Sequence, residues 1–183
     1  MRHDLFIAGF GGQGVLLAGN LLAYAALREG QNVSFFPAYG VEKRGGAATC
    51  TVVIADGEVG SPVVGNPAAM IILNQASLDR YAMKLREGGV CIVNTSLVDL
   101  SSFTRPDADL IRIPMNDVAL SIGDVRMVNM VAVGAYAART SAVCLPSLEK
   151  ALVDVLPERN HRFIPANVQA MEAGASFVPA KIS

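Results

Sequence analysis

Three glycines, Gly9, Gly11 and Gly14, stand in the spacing G-x-G-x-x-G within the segment GFGGQG. Residues without side chains let backbone N–H groups close on an oxyanion. A helix beginning at the third glycine adds the positive end of its dipole, about half a unit charge. Such a loop binds anions, holding a phosphate or a carboxylate by main chain alone. Gly12 and Gln13 open it further, with Gln13 supplying an amide that can donate or accept. A tight turn that only packs helix against sheet is the competing reading of the same residues.

A second glycine-flanked polar loop, PAYGVEKRGG, occupies residues 37–46. Arg44 can grip a phosphate or carboxylate with its planar fork and Glu42 can orient that arginine, while Gly40, Gly45 and Gly46 keep the backbone close to whatever binds. Tyr39 offers a hydroxyl to the same place, although an aromatic in a loop more often serves as a packing cover. The bland alternative for Glu42, Lys43 and Arg44 is a solvated surface turn. Asn129, at the entry to an apolar segment, can bond a ligand or the glycine loop, or else satisfy backbone at a helix start.

The same inventory sets several chemistries aside. A nicotinamide site needs an acidic residue at the end of the second strand, and that place holds Phe36 and Pro37. Glu29 comes too early and Glu42 too late, so a self-sufficient NAD dehydrogenase is not expected. Neither a Walker-type phosphate loop nor a G-x-S-x-G nucleophile elbow is present. Cys50, Cys91 and Cys144 lie far apart and His3 and His161 do not join them, so no zinc or iron–sulfur site is read and no catalytic residue is assigned. The three thiols read as buried small hydrophobes in a reducing cytoplasm. With a net charge of −1 and no like-charge run longer than Lys43-Arg44, the chain has no footprint for nucleic acid or an anionic membrane. Glycines and Asn20 interrupt the apolar stretch after Asp4, so neither an export signal nor a membrane span is expected.

The elements that must position these loops alternate in type. Apolar runs at 5–10, 33–36, 47–55, 69–73, 90–93 and 110–113 read as strands. Helical spacing appears at 17–26, closed by Gly30, then at 77–87, in a short helix capped by Asn116 or Asp117 and reaching Ser121, at 128–138, and at 162–175, with Pro146 separating two of the later helices. This is an α/β fold: one Rossmann-like, three-layer domain over residues 1–183, its sheet mostly parallel with some antiparallel strands. If the first two strands are adjacent and parallel, the two glycine loops share a cleft at their carboxyl ends. The 128–138 segment is apolar around almost its whole circumference, which marks a buried helix.

Hydrophobic residues make up 52% of the 183-residue chain and charged residues 17%. That charge is thin cover for a monomer, and self-association or burial against other chains is expected. A compact, alanine-rich interior would account for the same numbers.

The pairing of GFGGQG at 9–14 with AYGVEKRGGAATCTVV at 38–53 resembles the gamma subunit of 2-oxoacid:ferredoxin oxidoreductases. Further matches are SPVV at 61–64, NQASLD at 74–79, IVNTSL at 92–97 and RMVNMVAVGA at 126–135. The pattern looks most like the branch serving 2-oxoglutarate; pyruvate enzymes carry related domains. The resemblance implies oxidative decarboxylation of a 2-oxoacid with coenzyme A (CoA) and ferredoxin. Thiamine diphosphate, magnesium and iron–sulfur clusters would sit on alpha, beta and ferredoxin-like delta partners, and none on this chain. It also implies that Gly9, Gly11, Gly12, Gln13, Gly14, Tyr39, Gly40, Glu42, Arg44, Gly45, Gly46 and Asn129 lie near subunit contacts and a CoA path. A free-standing nucleotide or acyl-CoA binding protein and a purely architectural subunit remain the alternatives.

Overall fold

The computed structural model describes residues 1–39 and 46–179, and its framework is one six-stranded sheet in the order β2-β3-β1-β4-β5-β6. The strands are β1 (Arg2–Phe10), β2 (Asn32–Tyr39), β3 (Ala47–Ala55), β4 (Ala69–Ile72), β5 (Val90–Asn94) and β6 (Asp109–Ile113). From β1 through β6 on that side of the sheet all pairings are parallel, whereas β3 runs antiparallel to both β1 and β2. The first two strands are therefore not adjacent, contrary to the expectation from their βαβ pattern. β3 lies between them because it begins soon after β2 ends and returns against it, as a close sequence neighbour can only do antiparallel.

The ends of these strands still meet. β1 and β2 point the same way, so the end of β2, the start of β3 and the end of β1 share one rim, with Gly9 opposite Ala48 and Tyr39 opposite Ala48 on its other side.

Alternation along the strands sends side chains to two cores. Leu5, Ile7, Val52, Ile54, Ile71, Ile92 and Ile113 face α1 (Val15–Arg28), α3 (Met115–Ile122), α4 (Val128–Thr140), α5 (Leu145–Val155) and α6 (Ile164–Ser176). Ala8, Met70, Ile72, Cys91 and Val93 face α2 (Gln75–Tyr81) and the 3-10 turn Ala82–Lys84 that follows it. The result is three layers with the sheet in the middle.

Helix α4 is buried at every position from Val128 to Ala137. Its contact with α6 is unusually close: a Cβ on Gly134 would fall 1.9 Å from the Met171 carbonyl oxygen, and one on Gly174 would fall 1.9 Å from the Val131 carbonyl oxygen. The two helices thus touch backbone to backbone, each through a glycine of the other's partner turn.

Several boundaries differ from the sequence pattern. β2 runs on through Pro37, which the polar-loop reading assigned to the loop. The helix expected at 77–87 starts at Gln75, because the Asn74 side chain caps it by accepting from Ser77 N–H at 2.9 Å, and gives way after Tyr81 to the 3-10 turn. Helix α3 starts at Met115, so neither Asn116 nor Asp117 caps it. Pro146 sits in the first turn of α5, where its missing N–H costs nothing. Cys144 is exposed rather than buried, because it is the residue that precedes that first turn. Cys50 and Cys91 are buried as expected. No helix is long and apolar enough to cross a membrane among the described residues.

Candidate functional site

Phe10 to Gly14 turns the chain from β1 into α1. Gly14 is the N-cap of α1 with φ at +74°, a left-handed conformation that disfavours any side chain, and a Cβ there would fall 2.4 Å from Asn129 Nδ2. Gly9, the last residue but one of β1, lies against Gln13, Val15 and Leu73, and Gly12 stands open at the outer edge of the loop. Gly11 meets the second loop directly: its N–H donates to the Gly46 carbonyl at 3.0 Å. Gly40, Glu42, Arg44 and Gly45 lie outside the described residues, and Tyr39 closes β2 just before them.

The Gln13 amide, which the sequence reading left open to a ligand, is engaged within the protein. Its Oε1 accepts from Phe10 N–H at 2.7 Å and from Asn74 Nδ2 at 3.0 Å, and its Nε2 donates to the Leu73 carbonyl at 3.3 Å. Gln13 therefore holds the loop in shape. Asn129 does the same from the other side, with Nδ2 donating to the Gly14 carbonyl at 3.3 Å and Oδ1 accepting from Met130 N–H at 3.0 Å. Of the two roles open to Asn129, the structure shows the bond to the glycine loop and the service to its own helix together.

Two residues that sequence reasoning missed extend this framework along the rim. Asn74 links Gln13 to the start of α2. Asn94, fully buried at the end of β5, donates to the Leu73 carbonyl at 3.3 Å and to Asn116 Oδ1 at 2.8 Å, and accepts from Met115 N–H at 3.1 Å. The signal was present: the two apolar runs MIILN and CIVN each finish in asparagine just before polar residues. An amide there can satisfy the carbonyl of one strand and the first N–H of the next element at once.

Arg126 is the other omission. The short 3-10 turn Val125–Met127, capped by Asp124, leads into α4 and brings the guanidinium beside the glycine loop. It lines a cavity of about 160 Å³ with Gly12, Gln13, Asn116, Val125 and Val128, and a neighbouring one of about 190 Å³ whose walls include Leu17, Asn129, Asn160, Phe163 and Asn167. Hydrogen bonding to Arg126 holds the Asp124 carboxyl below its ordinary range, and Asp124 raises the guanidinium in return. The pair is exposed on the arginine side, so it is screened and contributes little to stability. It places a guanidinium, bonded through Nε and Nη2 to its own carboxylate partner, next to a helix start. That start, α1, has no side-chain cap and no acidic residue in its first turn. Uncapped N–H groups, a helix dipole and a guanidinium on one rim make an environment for anionic groups.

The thiols do not take part. Burial pushes Cys50 and Cys91 up to about 12, and they lie on opposite faces of the sheet, so they are packing residues rather than ligands. Among the described residues no cluster of three or more His, Cys, Asp or Glu could hold a metal ion.

Comparison with known proteins places this geometry. Residues 4–177 match the family model described as pyruvate ferredoxin/flavodoxin oxidoreductase. The chain is 38% identical over 172 residues to ketoisovalerate oxidoreductase subunit VorA of Methanothermobacter marburgensis, covering 93% of this chain but only 35% of VorA. It thus spans about a third of that relative's length. It is 36% identical over 160 residues to 2-oxoglutarate synthase subunit KorC of Methanocaldococcus jannaschii, covering 86% of each chain. The crystal structure of a keto/oxoacid ferredoxin oxidoreductase gamma subunit from Geobacter sulfurreducens superposes with a TM-score of 0.82 at 30% identity, over 96% of this chain and 97% of that one. The glycine loop after β1 thus sits on a fold shared almost end to end with a gamma subunit, and the chain belongs to the pyruvate ferredoxin/flavodoxin oxidoreductase family.

Proposed function

We propose that this chain works as the gamma subunit of a thiamine-diphosphate-dependent complex that oxidatively decarboxylates 2-oxoglutarate. The products are carbon dioxide and the acyl-CoA, with the electrons passing to ferredoxin. The chain supplies no catalytic residue; it shapes the assembled site and holds phosphate groups of CoA at its rim. The observation that carries this reading is the uncapped, acid-free start of α1 beside Arg126, on a loop already held in shape by Gln13 and Asn129. Binding there needs no rearrangement of the loop, because the Gln13 and Asn129 side chains hold its shape without the ligand.

Thiamine diphosphate, magnesium and iron–sulfur clusters are assigned to alpha, beta and ferredoxin-like partner chains. The buried, high-pKa thiols of Cys50 and Cys91 do not fit cluster ligation. The choice of 2-oxoglutarate rests on the match to KorC, which covers the same 86% of both chains, whereas VorA is a much longer protein. The isolated thiols fit a reducing cytoplasm.

The test is co-expression with the chains encoded beside it, followed by purification and assay against a panel of 2-oxoacids. The reading requires a complex that reduces ferredoxin fastest with 2-oxoglutarate. In that complex Arg126→Ala should raise the KM for CoA about tenfold, the loss of one charge-assisted hydrogen bond, with kcat nearly unchanged. A chain that joins no thiamine-dependent complex refutes the subunit assignment. A faster reaction with pyruvate or ketoisovalerate refutes the substrate. An unchanged KM for CoA leaves an architectural subunit, and micromolar CoA affinity in the chain alone would favour a free-standing binding protein.

A further inference from the structure

Strand β2 is an edge of the sheet, and from Asn32 to Tyr39 it carries no charged residue. Edge strands are ordinarily blunted by lysines, bulges or a covering element. Here Phe36 is 50% exposed, and Pro37 and Ala38 are exposed beside it.

The register decides which backbone groups of β2 face outward. The bond from Gly11 N–H to the Gly46 carbonyl shows that the even-numbered residues of β3 bond toward β1. Its odd-numbered residues therefore bond toward β2, where Val53 and Thr51 stand opposite Ser34 and Phe36. Val33, Phe35 and Pro37 are left with their backbone groups directed away from the sheet. Pro37 lacks a donor at one of these outward positions, so it removes no bond to β3 and yet stops a new strand from pairing through it. On its N-terminal side, Val33 and Phe35 present two donors and two acceptors.

We propose that β2 pairs antiparallel with β2 of a second copy of this chain, about a two-fold axis through Ser34. Val33 of each copy then exchanges both backbone bonds with Phe35 of the other, and the four outward groups are all satisfied. A two-fold axis requires each residue to meet its partner reciprocally, and the Val33–Ser34–Phe35 triplet meets itself without leaving a donor over. On the α1 face the pairing sets Val33 against Phe35 twice, an aromatic opposite a β-branched side chain. On the other face Phe36 covers Asn32 of the second copy. No charge opposes another anywhere in the contact, and the low charge content of the chain, 17%, agrees with a surface closed in this way.

The geometry names its own probe. Ser34 faces Ser34 of the second copy at a non-hydrogen-bonded position, where Cα atoms are about 4.5 Å apart and a disulfide can form. In a Cys144→Ser background, which removes the exposed thiol, Ser34→Cys should oxidise to a covalent dimer, both in the purified chain and in the assembled complex. Sedimentation of the parent chain from 1 to 200 µM should show a monomer–dimer equilibrium. Ser34→Glu, which sets two carboxylates face to face, should weaken it at least tenfold. Val33→Pro should weaken it similarly, since it deletes an outward donor just as Pro37 does. A parent that is monomeric throughout and gives no cross-link in the complex overturns the proposal, as does a cross-link to a different subunit. A dimer indifferent to both substitutions overturns it too.

Discussion

Replacing Gly134 by alanine tests whether the contact between α4 and α6 is as close as described. The added Cβ would lie 1.9 Å from the Met171 carbonyl oxygen and 2.5 Å from its carbonyl carbon, with Met171 Cα at 2.6 Å. Normal contact between such atoms is about 3.5 Å, so the helices must separate by more than an ångström. Neither side can yield by a rotamer change, because the atoms opposite are backbone. Parting the helices also loosens Val131, Met130 and Met171, which are all fully or almost fully buried. Overpacking ordinarily costs about 1–3 kcal/mol, and a clash with rigid backbone belongs at the upper end or beyond. Against this stands the helix-propensity gain of alanine over glycine, about 1 kcal/mol. The net expectation is a loss of about 3 kcal/mol, or a fall in Tm of roughly 6–12 °C for a chain of this size. Urea unfolding followed by circular dichroism measures it, with the midpoint falling at a nearly constant m value. Gly174→Ala should cost a similar amount, and the double variant less than the sum, since helices already parted for one methyl have room for the other. A Gly134→Ala protein as stable as the parent would refute the close crossing.

Asn94→Ala should lower stability by about 1–3 kcal/mol in the same urea assay, because it strands the Met115 N–H at a site without solvent and leaves the Leu73 carbonyl with the Gln13 amide alone; a loss well under 1 kcal/mol would mean that water enters to replace the amide. In the native protein at pH 8 iodoacetamide should modify Cys144 alone, and all three thiols only after unfolding, as read by mass spectrometry. Stability should also fall with alkali. Cys50 and Cys91 titrate near 12 when folded and near 9 when unfolded, so between those values the unfolded chain has released protons that the folded chain keeps, and the free energy of unfolding drops as pH rises. Burial raises the Tyr136 hydroxyl too, with the same sign. A urea midpoint constant from pH 9 to pH 11 would contradict this.

Much of the site was legible residue by residue. A helix beginning at the third glycine follows from G-x-G-x-x-G between an apolar run and a helical one, and Gly14 is its N-cap; the left-handed backbone there was seen only in the structure. The buried helix α4 follows from its apolar circumference. Gln13 was legible only as an amide: whether its oxygen faces a ligand or Phe10 N–H depends on where Leu73 and Asn74 arrive, 60 and 61 residues later. Pro37 looked like the end of a strand because proline lacks a donor, but at an edge the missing donor faces solvent and the strand continues through it.

What the sequence determined by itself was the set of elements, the two glycine loops and the absence of charge along β2, since each depends on neighbours a few residues apart. Only the tertiary structure decided that β3 lies between β1 and β2, that Asn74 and Asn94 tie the rim together, and that α4 meets α6 through Gly134 and Gly174. Periodicity records which face of a strand or helix avoids water. It carries no information about which distant segment covers that face, and that choice is made by the packing of the whole chain.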